Sequence, residues 1–144
     1  MKGAMVNSGA ANMMKLCRQY KPILISGGDM FGGAYQPRQA DNIIAMVTLG
    51  GFDTATALRS ATGNAGEVLG WCGGMNPYPY GKLGVIAEGA YADVIVIDGD
   101  PLADITALKR DNVKVVIKDG KCFKYALGDE ALKVETIPVV AEEE

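Results

Sequence analysis

The sequence predicts an α/β chain, and three observations carry that expectation. Residues 8–20, "SGAANMMKLCRQY", space their apolar side chains for a helix, and the continuously apolar "PILIS" follows at once. A glycine loop then leads into further helical patterns, giving the helix, strand, loop and helix rhythm of an α/β protein. Beyond residue 70 the texture changes to β-branched runs punctuated by turn signals.

Taken in order, Ser8 is a candidate N-cap for the first helix, which ends near Tyr20. "PILIS", residues 22–26, reads as a strand buried on both faces, as in a parallel sheet. Gly27 and Gly28 follow, and "SGGDMFGG" holds Asp29 at the mouth of that strand. Pro37 suits the first turn of a helix through "RQADNIIAMVTLGG", where Gly50 and Gly51 stop it. Asp53 or Thr54 can cap the next helix, "TATALRSA", and a further one in "GNAGEVLG" closes at Gly70.

The segment "WCGGMNPYPYGKLG" is dense in Gly, Pro and aromatic residues, marking an irregular connection laid over apolar surface. Trp71, Tyr78 and Tyr80 in it suit a packed joint between two parts of the chain better than a binding surface. "ADVIVIDGD" then reads as a strand and "NVKVVIKDGKCFKY" as a hairpin turning at Asp119-Gly120, with Val113, Val115 and Ile117 on one face. Two or three strands do not make a stable sheet alone. Residues 127–144 form a tail ending in "EEE", expected to be solvated, in which "TIPVV" can add a short edge segment.

Composition excludes several functions. The 144 residues are 22% charged with a net charge of -3, which leaves no basic footprint for nucleic acid and no polybasic patch for a membrane surface. No apolar run approaches the roughly 20 residues that span a bilayer, and the N-terminus lacks the apolar block of a signal peptide. Cys17, Cys72 and Cys122 are odd in number and widely spaced, so they read as reduced, mostly buried thiols. With no histidine in the chain, Ser26 and Ser60 have no imidazole to activate them, no GxSxG is present, and Cys72 lacks a base.

The remaining carboxylates need their own reading. Asp98, Asp100 and Asp104 mimic the start of a calcium loop, but the turn glycine is missing and Lys109 stands where a bidentate glutamate belongs, so a strand end and turn is expected. The glycine loop around Asp29 fits neither GxxxxGK[ST] nor GxGxxG, which argues against phosphate binding. From the residues alone, Asp29 either stabilises its own turn or acts in catalysis.

"ALRSATGNAGEVLG", "GKLGVIAEGAYADVIVIDGDPLADI" and "VKVVIKDGKCFK" together resemble the C-terminal third of the amidohydrolase superfamily, closest to its imidazolonepropionase-like and prolidase-like branch. The resemblance covers about residues 20–125. It implies the last strand and flanking helices of a (β/α)8 TIM barrel over residues 1–70, part of a small β-sandwich over 71–126, and an acidic tail over 127–144. Asp29 then matches the family's strand-8 aspartate, which touches the metal or its water and handles a proton; Met30 and Phe31 would wall the substrate pocket. The resemblance implies hydrolysis of a carbon–nitrogen bond, amide, cyclic amide or dipeptide, by water on a divalent metal, zinc in the family's pattern.

The departure from that family is the absent histidines, since a zinc-type centre needs three or more protein ligands. The expectation is that the ligands lie upstream of Met1 in a longer parent, and that this chain alone holds no metal and is inactive. Its partners would be a small-molecule or dipeptide substrate in the parent, with no nucleic acid and no membrane. Unpaired strand edges in the isolated chain would favour self-association or a partly molten state. The alternative reading is a non-catalytic structural or self-associating fragment.

Overall fold

A computed structural model describes residues 2–28 and 35–128. Four α-helices, α1 (Lys2–Tyr20), α2 (Ala40–Thr48), α3 (Thr54–Ala61) and α4 (Gly63–Gly70), precede three strands, β1 (Val94–Ile97), β2 (Val113–Lys118) and β3 (Lys121–Tyr125). The strands form one antiparallel sheet in the order β1-β2-β3. The chain is therefore α/β, with helices and strands segregated along the sequence.

Local chemistry accounts for most boundaries. Pro37 sits in the short 3-10 turn Gln36–Arg38 that feeds α2, where its fixed φ and missing N–H are tolerated. At the other end, the backbone N–H groups of Leu49 and Gly50 both donate to the Ala45 carbonyl, and Gly51 takes φ +67° to leave the helix. Asp53 caps α3: its carboxylate accepts from the Thr56 N–H at 2.8 Å and the Thr56 hydroxyl at 2.7 Å. The hairpin turns at Asp119 (φ +50°) and Gly120 (φ +73°), the pair of left-handed conformations that a two-residue turn matching strand twist requires.

Four expectations are corrected. Helix α1 begins at Lys2, so Ser8 lies inside it; serine is only mildly unfavourable in a helix interior, and nothing in residues 2–7 breaks the helix. "PILIS" is not a strand: residues 21–28 have no regular structure, and Ile23 and Ile25 are about half exposed. A strand is defined by its neighbours, and among the described residues this segment has only two ties, Ser26 N–H to the Ser60 carbonyl and Asn64 Nδ2 to the Leu24 carbonyl, each at 2.9 Å. The three thiols are free, but Cys72 is exposed in the turn after α4, and Cys17 on α1 and Cys122 on β3 are only half-buried. The aromatic segment packs through Tyr78 alone of its three rings, with Trp71 and Tyr80 exposed.

The core lies between the helices and the sheet. Ala57, Ile105 and Leu108 are its buried centre, surrounded by Ile43, Ile44 and Val47 of α2 and by Ile97 of β1. Ile105 and Leu108 belong to a 3-10 turn (Ile105–Leu108) whose start is fixed by Asp104, which accepts from the Thr106 N–H at 2.9 Å. Thr54 Oγ1 donates to the Leu102 carbonyl at 2.8 Å, so the start of α3 is tied to the segment just before this turn. Val115 is the buried residue of β2, opposite Val96 and Tyr125, with Val113 and Ile117 of the same face half-buried.

Two glycines let backbone meet backbone. A Cβ on Gly66 of α4 would lie 2.2 Å from the Leu83 carbonyl oxygen, and one on Gly84 2.2 Å from the Thr62 carbonyl oxygen. Gly84 also holds φ +71°. These contacts bring residues 81–85 against the helical part of the chain. The connection is locked on its other side by Tyr78, whose ring meets Tyr91 edge-on at 5.4 Å and receives Lys118 Nζ at 4.7 Å. Among the described residues no helix is long and apolar enough to cross a membrane.

Candidate functional site

Asp29, Met30 and Phe31, the three site residues the sequence singles out, lie outside the described residues, as do the "TIPVV" segment and the closing glutamates. What the structure does place is the frame on either side. Upstream, Ser26 is bonded to α3 through the Ser60 carbonyl, and Gly28 is half-buried. Gly27 stands in open space, since a Cβ there would meet nothing within 4 Å. Downstream, Arg38 pairs with Asp41 at 2.8 Å across the first turn of α2.

Gly28 opens onto a cavity of about 340 Å³ between the helices and the sheet, which Ser26, Gln39, Ile43, Leu108 and Val113 also line. Residues from immediately before and shortly after the Asp29 loop thus share one largely apolar hollow. Ser60 of α3 is fully buried, its hydroxyl 2.7 Å from the Ala57 carbonyl and 3.3 Å from Met46 Sδ. That geometry satisfies a core hydroxyl and leaves it no acceptor of its proton that could make it a nucleophile.

The other carboxylates are structural. Asp100 accepts from the Leu102 N–H, Asp104 from Thr106, and Asp98 stands 3.6 Å from Lys114, so the calcium-like run resolves into a strand end and caps. The Thr56 and Thr106 donors hold Asp53 and Asp104 below the usual carboxylate range. Asp93 is lowered chiefly by its hydrogen bond from Lys118, with the Asp119 N–H adding to it, and Lys118 is raised in return.

A zinc-type centre is not met by these residues. The chain has no histidine, and among the described residues no three His, Cys, Asp or Glu side chains come together. A different grouping, which the sequence does not announce, is cationic: Arg18, Lys21 and Arg59 line a second cavity of about 390 Å³ beside Phe52 and Pro22. These cations are scattered over 41 positions of sequence, so no linear spacing reveals them.

The amidohydrolase family matches residues 38–122, more than half of the chain, and the chain belongs to that family. Among solved structures it is similar to a crystal structure of an amidohydrolase at 29% identity and TM-score 0.66, covering 81% of this chain and 26% of that one. It is also similar to a prolidase complexed with N-methylphosphonate-L-proline, at 31% identity and TM-score 0.58, covering 80% and 26%. A third likeness is to an ochratoxinase of A. niger, at 33% identity and TM-score 0.50, covering 60% and 19%. No curated protein matches the chain. The chain thus spans about a quarter or less of the length of the solved structures it matches.

Proposed function

We propose that these residues are the C-terminal part of a metal-dependent amidohydrolase that hydrolyses a carbon–nitrogen bond in a small molecule or dipeptide. The family match over residues 38–122 is the observation that carries this reading, and the likeness to a prolidase favours amide-type bonds next to a small ring or side chain. In this reading residues 1–70 contribute the end of a TIM barrel with its flanking helices, residues 22–26 taking up strand pairing only against a neighbouring strand of the longer polypeptide, while 71–126 form part of a β-sandwich and 127–144 an acidic tail.

Asp29 is the residue we assign to the reaction, beside a divalent metal, with zinc the ion the family pattern favours. That metal, when bound, supplies an activated water. We place its other ligands in polypeptide outside these 144 residues, a reading supported by the absence of histidine from the sequence and of any grouping of three His, Cys, Asp or Glu among the described residues. The carboxylate of Asp29 would accept the proton of the water that attacks the substrate carbonyl and return it to the departing nitrogen, and Met30 and Phe31 would wall the substrate's side. The cavity behind Gly28 supports this placement by leaving room at the base of that loop.

A second reading, self-association without catalysis, is favoured by one observation. Met13, Leu16, Tyr20, Ile23 and Ile25, close together in sequence, all remain between 48% and 70% exposed.

The deciding experiment assays the longer polypeptide that contains these residues against X-proline dipeptides, N-acyl amino acids and cyclic amides, before and after chelation. Turnover of one class that chelation abolishes and zinc restores is the expected result. Absence of hydrolysis across the panel would remove the catalytic reading and leave self-association.

A further inference from the structure

The cavity beside α1 carries an inference that rests on no part of the amidohydrolase reading. Arg18 and Lys21 come from the end of α1 and the residue just after it, and Arg59 from α3, so two separate parts of the chain bring three cationic residues to the lining of one hollow of about 390 Å³. Arg18 is positioned from two sides: a guanidinium nitrogen donates to the Gly50 carbonyl, and its carbon stands 5.8 Å from the Phe52 ring centroid. Among the described residues neither Lys21 nor Arg59 has an ion-pair partner. Among the described residues the one carboxylate in the lining, Asp53, is occupied with its cap on Thr56.

Lys21 adds a second observation. It holds φ +47°, a left-handed conformation that disfavours any residue with a Cβ and that glycine ordinarily fills at a helix end. Its N–H closes α1 on the Cys17 carbonyl. A lysine in that position places a cation at the cavity at the expense of backbone ease. Among the described lining residues, three cations against one carboxylate leave a formal charge of +2, which matches a dianion, and the Pro22, Ile23 and Phe52 walls suit an apolar body behind it.

We propose that this cavity binds a small organic phosphate monoester, its dianionic head between Arg18, Lys21 and Arg59 and its organic part against Phe52 and Pro22. The guanidinium forks supply paired N–H donors to phosphate oxygens, and the ammonium supplies a point charge.

The test titrates the 144-residue chain with phenyl phosphate, followed by phosphorus NMR and calorimetry, with phenol as the uncharged probe. Saturable binding at one per chain is expected for phenyl phosphate and none for phenol. Arg59→Gln weakens it by about tenfold or more, the loss of one charge-assisted contact, and Lys109→Gln, outside the cavity, leaves it unchanged. Lys21→Gly is the decisive variant: it relieves the left-handed strain, so the melting midpoint rises or holds while binding falls by about tenfold. Unsaturable binding, equal loss in Lys109→Gln, equal affinity for phenol, or undiminished binding in Lys21→Gly would each overturn the proposal.

Discussion

Lys118 Nζ stands 2.5 Å from Asp93 Oδ2, joining the last residue of β2 to the residue just before β1. The same carboxylate accepts from the Asp119 N–H at 2.8 Å, so one aspartate holds both the strand end and the hairpin turn. The same ammonium faces the Tyr78 ring, which extends the junction to the proline-rich connection.

This junction sets a pH response. Asp93, Asp53 and Asp104 are all held below their ordinary carboxylate pKa, so each contributes stability above about pH 4 that is lost as pH falls through its folded value. Lys118 is raised, so its contribution persists through its ordinary range near ~10.4 and is lost only above it. The apparent melting midpoint should be flat from about pH 5 to 9 and fall on both sides. Asp93→Asn should flatten the acid limb and Lys118→Met the alkaline one, read by circular dichroism from pH 3 to 11.

Gly84→Ala should be strongly destabilising. Its Cβ would meet the Thr62 carbonyl group at 2.2 to 2.3 Å, backbone that cannot step aside, and its φ of +71° adds a left-handed penalty. Together these predict a loss of about 2–4 kcal/mol. Gly70→Ala, where a Cβ meets nothing within 4 Å, should instead be neutral or stabilise by up to about 1 kcal/mol. Denaturant titration of the two variants side by side checks the contrast.

Elemental analysis of the 144-residue chain prepared without chelator should find no stoichiometric zinc, since no histidine is available to hold it. One tightly held metal per chain would show that these residues build a centre by themselves.

In the longer polypeptide, Asp29→Asn should keep the fold and lower turnover by at least ~100-fold, because the amide keeps the shape but cannot accept the proton. Unchanged turnover would return Asp29 to a turn-stabilising role.

Sedimentation of the isolated chain at micromolar concentration should reveal species larger than a monomer. Replacing Ile23 and Ile25 together by lysine, which puts charge on the exposed 21–28 segment, should shift the distribution toward monomer. A monomeric wild-type chain with a sharp melt would rule out that association.

What the sequence disclosed was what neighbours along the chain decide. Asp53 and Thr56 form a cap within one turn, Gly51 breaks α2 through its own φ, and Asp119-Gly120 turns the hairpin by its own backbone preference. The misread elements depend on groups far away in sequence. Whether "PILIS" becomes a strand depends on a partner strand beside it, and the exposure of Cys72 depends on what covers the end of α4. The cationic cavity joins residues 18, 21 and 59, which no local spacing connects. The family signature was readable because its motifs in residues 57–124 are themselves local: a helix, a glycine connection and a hairpin.

The sheet's simple order, β1 beside β2 beside β3, has a kinetic consequence. The hairpin closes over a two-residue turn, so its pairing costs little loop entropy and belongs to the microsecond events of folding. Joining Ile105 and Leu108 to Ala57 and α2 spans roughly fifty or more positions of chain, and such distant contacts form late. The β-rich half should therefore acquire its structure first and wait for the helices. During that interval the side of the 3-10 turn that finally meets Ala57 stands open to solvent, and a destabilising change at Leu108 should speed unfolding while leaving the folding rate nearly unaltered.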